Sequence, residues 1–167
     1  MIVVDIHPPM AVELVHLYRS PGHNFVGRHG KTPREHPMLE ETELHCEAGR
    51  GLRGDRYFDF RDRFKGQVTF FAWETHEDLC HRLDLRHPAS VYRRNVITRG
   101  IDLNEWIGVE FEIQGIRFEG TEEASPCYWM NTAFGPGAEE LLKGRGGLRA
   151  RILSSGILRQ TGIGPSR

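Results

Sequence analysis

The sequence has little that would place it in a membrane or in an oxidising compartment. None of its apolar stretches approaches the roughly 20 residues that a helix needs to span a bilayer. The N-terminal MIVVDIHPPM lacks the basic start and apolar middle of a signal peptide. The only cysteines are Cys46, Cys80 and Cys127, and they form neither a CxxC pair nor a disulfide framework. We therefore expect a cytoplasmic protein with reduced thiols and no membrane partner.

Several catalytic signatures are also missing from the chain. It has no P-loop, no GxGxxG motif before a helix, no HExxH pair and no GxSxG elbow. Its nine histidines lack the close His/Cys spacing of a structural zinc site. The formal net charge is −1, which gives no bulk attraction to nucleic acid. These absences argue against a P-loop nucleotidase, a zinc protease, a serine hydrolase and a nucleic-acid-binding protein.

Arginine supplies nearly all of the positive charge. Of 22 basic residues, only Lys31, Lys65 and Lys143 are lysines. Arginine binds phosphate and carboxylate through two parallel hydrogen bonds, so an anion site would account for the bias. A genome that favours arginine codons accounts for it equally well. The local clusters are therefore more informative, and they lie at 49–56, 93–95 and 146–151.

Short alternating segments separated by glycine and proline predict a mostly β fold with a few short helices. The chain reads as one domain over 1–167, with its motif-bearing core at about 41–160. This pattern favours a β-barrel or a strongly bent sheet over an alternating α/β sheet. The predicted strands are 11–19, 41–48, 66–73, 93–100, 109–113, 116–121 and 147–156; the predicted helices are 76–83, capped by Thr75, and 137–144; a long loop rich in His and Pro fills 21–37.

Cys127 is the cysteine in the most unusual setting. Pro126 precedes it and stiffens an irregular segment that follows a predicted strand. A thiolate is a nucleophile, a carrier of persulfide and a soft metal ligand, whereas most cysteines are small, inert core residues. Cys80 lies on the apolar face of the predicted helix and Cys46 lies in a strand, so we predict structural roles for both.

The arginine clusters offer candidate anion ligands. In the first cluster, Gly54 permits a left-handed turn, and Asp55 is suited to organising that turn rather than to acting as a general base. In the second, strand alternation sends Arg93 and Arg94 to opposite faces, so that only one of them lines a given pocket. Each cluster has an equally simple explanation as a turn or strand end with solvated arginines.

Taken in order, these motifs resemble the MOSC family, named after the C-terminal domain of molybdenum cofactor sulfurase. No single motif is specific, but the ordered set spans about residues 49 to 156. The matching residues are Gly51-Leu52-Arg53-Gly54-Asp55-Arg56, Lys65-Gly66-Gln67-Val68-Thr69, Arg94-Asn95, Arg99-Gly100-Ile101-Asp102-Leu103, Ile107-Gly108, Phe111, Pro126-Cys127 and Gly146-Gly147-Leu148-Arg149-Ala150-Arg151.

The resemblance implies a stand-alone, single-domain β-barrel that handles the molybdenum cofactor (molybdopterin). Cys127 would be the catalytic residue and metal ligand, either holding molybdenum or carrying sulfur as a persulfide. The reaction would be the reduction of N-hydroxylated compounds or the sulfuration of a metal cofactor, with an electron-donor protein or a cysteine desulfurase as partner. The cofactor-binding residues implied are Gly54, Asp55, Arg56, Arg94, Asn95 and Arg149.

The sequence departs from the family pattern in two places. The Gly-Asp that follows the last strand in the family is absent, and the 21–37 loop resembles a subfamily elaboration. The pyridoxal-phosphate domain of the sulfurases does not fit before Cys46, so we expect no pyridoxal phosphate on this chain. The alternative hypothesis is a non-catalytic β-barrel that binds an anionic ligand or partner through its arginine clusters.

Overall fold

Short strands make up most of the regular structure in the computed structural model, which describes residues 2–4, 12–25 and 28–161. The strands are β1 (Ile2–Val4), β2 (Glu13–Arg19), β3 (Leu39–Glu41), β4 (Glu43–Glu47), β5 (Gly51–Leu52), β6 (Val68–Ala72), β7 (Val96–Arg99), β8 (Val109–Ile113), β9 (Ile116–Glu123), β10 (Leu148–Ile152) and β11 (Gly156–Arg159). The helices are α1 (Trp73–Leu83), α2 (Trp129–Ala133) and α3 (Ala138–Leu142), with 3-10 turns at Ala89–Tyr92 and Leu103–Trp106.

The strands form two sheets. The larger sheet is mixed and has eight strands in the order β1-β8-β9-β10-β6-β7-β2-β3, and the smaller has the order β11-β4-β5. Only β1–β8 and β6–β7 pair in parallel among the described strands. Over the described ranges the hydrogen-bonded order of the large sheet runs from β1 to β3 without closing. A mostly β fold with a few helices is thus confirmed, whereas the closed barrel stays a prediction.

The main hydrophobic core lies on one face of the large sheet. Strand alternation builds it: in β10, Leu148, Ala150 and Ile152 are buried while the residues between them are partly exposed. Trp106 stacks on Phe111 with ring centroids 4.1 Å apart. Each large apolar side chain buried in this way contributes about 1.5–3 kcal/mol.

A second hydrophobic cluster covers the opposite face of the same sheet. In β6, Phe70 points into the main core and Phe71 into this second cluster, so four consecutive residues of the strand are buried. The helices α1, α2 and α3 supply the covering side chains, among them Leu79, Phe134 and Leu142. The central strands of the sheet are therefore buried on both faces.

Several predicted boundaries are wrong for local reasons. The predicted strand 93–100 begins only at Val96, because Arg93 adopts a left-handed conformation with φ 57°. Helix α1 begins at Trp73, so Thr75 lies inside the first turn and is not the cap; the N-cap is Ala72, which makes no side-chain cap bond.

Other differences concern where elements are divided. The predicted strand 147–156 is shorter in the structure, because β10 ends at Ile152 and a separate strand, β11, begins at Gly156 in the other sheet. Helix α2 follows the segment of Cys127, where no helix was predicted. Ala11, the first residue of the predicted strand 11–19, lies outside the described residues. None of the helices in the described part of the chain has the length and apolar character needed to cross a membrane.

We expect Gly120→Ala to destabilise the fold strongly. A Cβ at this position would lie 1.9 Å from the Trp106 carbonyl oxygen, so strand β9 or the 3-10 turn at Leu103–Trp106 must shift. We predict a loss of at least about 2 kcal/mol in the free energy of unfolding, measured in urea. Gly115→Ala is the control, because a Cβ there meets no atom within 4 Å and only the φ of +80° costs energy, about 1 kcal/mol. Equal losses in the two variants would contradict the packing argument.

Candidate functional site

The Asp55 carboxylate is the centre of the loop between β5 and β6. Its Oδ1 accepts hydrogen bonds from the Ser20 amide at 3.0 Å, from Asn95 Nδ2 at 3.2 Å and from the Arg56 guanidinium at 3.1 Å. Its Oδ2 accepts a bond from the Tyr57 amide at 3.2 Å. The side chain is fully buried. All the bonds serve the protein itself, which is the geometry of a loop organiser rather than of a general base.

Asn95 links this loop to two strands. Its Nδ2 donates to the Tyr18 carbonyl at 3.1 Å as well as to Asp55, and its Oδ1 accepts from the amide and hydroxyl of Thr69 at 3.0 and 3.1 Å. An amide side chain has two N–H donors and two acceptor lone pairs, so Asn95 is saturated. The structure therefore places it beside the site as a support and leaves it no bond for a ligand.

The Arg56 side chain is also packed inside the protein, whereas Gly54 lies at an exposed turn. Gly54 has φ +80°, and a Cβ on it would lie 2.1 Å from the Arg19 guanidinium. The Arg56 guanidinium donates to the Arg93 carbonyl at 2.9 Å and lies over the Tyr57 ring at 4.9 Å from its centroid. These contacts explain the glycine-arginine pattern of the loop by internal packing.

Arg94 differs from Arg56 because no carboxylate within the described residues pairs with it. Its Nε, Nη1 and Nη2 donate to the carbonyls of Gly146, Tyr92 and Ala124 at 3.1, 3.2 and 2.9 Å. Desolvation and the neighbouring Arg149 lower the pKa of Arg94 to about 10. Since a guanidinium carries five N–H groups, about two remain for a further acceptor.

Cys127 has an exposed side chain immediately before α2. Its carbonyl accepts a bond from the Met130 amide at 3.0 Å, which fixes the backbone around the thiol. Behind it, the Trp129 ring stacks between Tyr128 and Phe25, with centroids 4.7 and 4.9 Å away. Phe25 comes from the long 21–37 loop, so that loop contributes to the wall beside the thiol.

The structure thus divides the predicted site residues into two groups. Arg149 and Cys127 each lie within electrostatic reach of Arg94, because both act on its pKa. Gly54, Asp55, Arg56 and Asn95 form the supporting structure behind them. Tyr57, which also acts on Arg94, was not predicted. The alternation of aromatic and charged residues at 57–64 is the sequence pattern that could have indicated Tyr57.

The other two cysteines have different surroundings. Cys46 is buried in β4, and burial raises the pKa of its thiol to about 12. Cys80 is only partly buried, and it lines a groove beside His76 with 3.7 Å between its Sγ and His76 Nε2. The core position predicted for Cys80 is therefore only partly correct, because one side of the helix face is open.

That groove lies away from the predicted site. It has a volume of 1530 Å³ and runs between α1 and β2, lined by His16, Trp73, His76, Cys80 and His87 among others. A cavity of 600 Å³ lies near the start of α1. In the part of the chain that the structure describes, neither cavity includes Cys127, and no group of three or more His, Cys, Asp or Glu is placed to hold a metal ion.

The fold and the site define a small β-rich domain with an exposed thiol beside an arginine that lacks an acidic partner. The MOSC domain model matches residues 41–161, and the chain belongs to the MOSC domain family. A comparison with curated proteins finds no match.

Solved structures share the fold at low sequence identity. The YuaD protein from Bacillus subtilis is 16% identical, with a TM-score of 0.66, covering 89% of this chain and 91% of that one. YiiM from Escherichia coli is 18% identical, with a TM-score of 0.56, covering 86% and 65%. YiiM from Geobacillus stearothermophilus is 14% identical, with a TM-score of 0.57, covering 89% and 71%.

We expect Asp55→Asn to lower stability without any ligand present. One carboxylate oxygen becomes an NH2 group that faces hydrogen-bond donors, and the charge that pairs with Arg56 is lost. The predicted loss in the free energy of unfolding is about 3 kcal/mol. Asp59→Asn is the matched control, because Asp59 makes its ion pair with Arg50 on the surface. An unchanged unfolding midpoint for Asp55→Asn would exclude the organising role.

His76 should make the protein acid-sensitive. Burial lowers its pKa from 6.5 to about 4, and its Nδ1 is 2.7 Å from the Tyr92 hydroxyl. The unfolded chain therefore binds a proton at higher pH than the folded chain does. Above pH 6.5 the residue has no effect, and as the pH falls from 6.5 to 4 about 2 kcal/mol of stability is lost.

The measurement is the free energy of unfolding as a function of pH. In His76→Gln the fall between pH 6.5 and 4 should become shallower, whereas His45→Gln, at an exposed position, should leave the slope unchanged. The same slope in both variants would assign the acid sensitivity to other groups.

Proposed function

We propose that Arg94, Arg149 and Cys127 form a cleft that binds the molybdenum cofactor, and that the Cys127 thiolate is its metal ligand. The MOSC domain family is associated with molybdenum cofactor binding, which makes this the natural ligand class. We assign the binding to these particular residues because positive charge is in excess around Arg94.

That excess can be counted from the ion pairs. Arg56 lies within electrostatic reach of both Arg93 and Arg94, and of these three only Arg56 pairs with a carboxylate among the described residues. Arg93 and Arg94 are solvated by carbonyl and hydroxyl oxygens instead. A desolvated cation without a counter-ion favours an anion at its free side. A phosphate-bearing cofactor supplies such an anion.

The donor set at the cleft also suits the metal end of the cofactor. Cys127 offers a soft sulfur ligand for the metal. Because its side chain is exposed, a metal that has only one protein ligand can reach it. When bound, molybdenum supplies two-electron redox chemistry, which we assign to the reduction of N-hydroxylated compounds. The protein's own part is to hold the phosphate with Arg94 and Arg149, to provide the thiolate, and to shield one side with the Trp129 stack.

A second candidate function uses the same thiol without a bound metal. An exposed thiol can also be reached by a cysteine desulfurase, so Cys127 would accept sulfur as a persulfide and pass it to a metal cofactor. A non-catalytic anion-binding barrel is the third candidate, since it needs the arginines and not the cysteine. An electron-donor protein is the expected partner in the first case and a desulfurase in the second.

Cys127→Ser separates these functions. Protein purified from a host that makes the cofactor should contain molybdenum and pterin, and the variant should lose both, since a serine hydroxyl is a far harder and less acidic ligand. Cys46→Ser and Cys80→Ala are the controls and should retain both. Stability, measured by thermal unfolding, should be nearly unchanged in Cys127→Ser because its side chain is exposed.

Mass spectrometry after incubation with a desulfurase and cysteine gives the second readout. Addition of one sulfur atom at Cys127, with no molybdenum in the purified protein, would select the carrier function. Full metal content and full sulfur loading in Cys127→Ser would refute both and leave the anion-binding barrel.

Arg94→Lys tests the anion site directly. A lysine keeps the positive charge but cannot donate in the fixed directions of a guanidinium, so pterin retention should fall by about tenfold or more. Arg151→Lys is the matched control, since Arg151 lies on the same strand as Arg149 but donates to Glu119 at 2.8 Å and to the Arg63 carbonyl at 3.2 Å, whereas Arg149 approaches Glu122 only to 3.5 Å. Equal retention in both variants would show that charge alone attracts the ligand.

A further inference from the structure

We infer that Arg93 is a positioning residue for the cleft: it joins the two ends of the 20–37 segment and so holds the middle of that segment against the aromatic wall beside Cys127. The role of Arg93 in positioning the cleft rests on the proposed function. Its role in joining the ends of the segment does not. Of this segment, the structure describes residues 20–25 and 28–37.

The Arg93 guanidinium binds both ends of the segment at once. One nitrogen donates to the Gly22 carbonyl at 2.9 Å and to the Ser20 hydroxyl at 3.0 Å. The other donates to the His36 carbonyl at 2.6 Å. The left-handed backbone of Arg93, with φ 57°, turns its side chain away from the path that Arg94 follows. The two neighbouring arginines thus serve the segment and the cleft separately.

The two ends are packed directly against each other at this point. A Cβ on Gly22 would lie 2.5 Å from the His36 ring, so only glycine permits the approach. Asn24 adds a second connection, since its Oδ1 accepts a bond from the His36 amide at 2.6 Å. The Ser20 amide also donates to Asp55, which attaches the first end to the loop behind the site.

The middle of the segment reaches the residues that follow Cys127. Phe25 stacks on Trp129 with centroids 4.9 Å apart, and His29 meets Tyr128 edge-on at 5.1 Å. The Tyr128 hydroxyl accepts a bond from the Gly30 amide at 3.3 Å. Between positions 20 and 38 the described residues form no helix or strand, so these side-chain contacts and the joined ends fix the segment's course.

This arrangement explains why the cation at position 93 has no acidic partner among the described residues. Its three acceptors are two carbonyls and a hydroxyl that belong to the segment, and bonds from a charged donor are roughly twice as strong as neutral ones. A shorter or neutral side chain would leave those carbonyls without a donor. The segment would then separate from Trp129 while the sheets stay folded.

Limited digestion with trypsin tests the joining of the ends. The segment contains three trypsin sites, after Arg28, Lys31 and Arg34. In Arg93→Gln, cleavage at these sites should rise by about tenfold or more, since one charged hydrogen bond is worth about that factor. Arg99→Gln is the control, because Arg99 makes a half-exposed pair with Glu13 at the end of β7. Unchanged cleavage, or cleavage that rises equally at sites throughout the chain, would overturn the inference.

Alkylation of Cys127, followed by mass spectrometry of its peptide, tests the link to the cleft and needs no bound cofactor. Arg93→Gln should change the alkylation rate in the same direction as Phe25→Ala, and Arg93→Lys should give an intermediate rate. If Arg93 acts through the Phe25–Trp129 contact, its effect should largely vanish in the Phe25→Ala background. Fully additive effects would show that Arg93 does not act through the segment.

These readouts distinguish two failures. If Cys127 proves to hold neither metal nor sulfur, the proposed function fails, but the cleavage pattern and the double-variant result still hold. If Arg93→Gln loses its fold, Arg93→Lys carries the test, because it keeps the charge and loses only the three-acceptor geometry. The inference would be wrong if Arg93→Lys were cleaved and alkylated at the wild-type rates. The same holds if a folded Arg93→Gln were cleaved at the wild-type rate.

Discussion

The Asp55 carboxylate receives hydrogen bonds from three separate stretches of the chain, and the arrangement of the site follows from them. The Ser20 amide lies at the end of β2, the Asn95 amide group lies just before β7, and the remaining donors belong to the loop itself. A buried carboxylate is stable only when its lone pairs are matched in this way. The β5–β6 loop, the start of the 20–37 segment and the start of β7 are therefore fixed relative to one another.

The charges around this carboxylate are not balanced. Arg56 forms an ion pair with Asp55. Arg93 and Arg94 instead donate hydrogen bonds to neutral oxygens. Desolvation lowers the pKa of both Arg93 and Arg94 to about 10, yet both remain cations at neutral pH. Neutral carbonyl and hydroxyl oxygens therefore stabilise both charges in place of a carboxylate.

The frame behind this region is shared with proteins that have little sequence in common. At 14–18% identity, the structures of YuaD and YiiM show the same fold. Burial on both faces of the central strands explains this tolerance, since apolar residues of similar size can replace one another there. Phe70 and Phe71, on opposite faces of β6, show how one strand serves both clusters. The loops at the ends of such strands are free to differ, and the 20–37 segment is one of them.

The sequence by itself determined the features that depend on near neighbours. The β8–β9 hairpin follows from alternation around Gly115, and the burial of Cys46 follows from its position in an alternating strand. The ordered motifs predicted the family, and the alternation predicted a mostly β fold. The Thr75 cap and the strand start at Arg93 were wrong, because packing around Trp73 and a left-handed turn overrode local preference.

Tertiary structure alone decided which of the predicted site residues have their hydrogen bonds used within the protein. Arg93 and Arg94 are adjacent in sequence, but their partners lie between 2 and 73 positions away, and nothing local assigns one to the 20–37 segment and the other to Gly146. Likewise, Asn95 resembled a ligand until its four bonds were found to be used within the protein. Residue type and spacing indicate which groups can bind an anion or a metal. Whether such a group is free to do so depends on hydrogen bonds formed between distant parts of the folded chain.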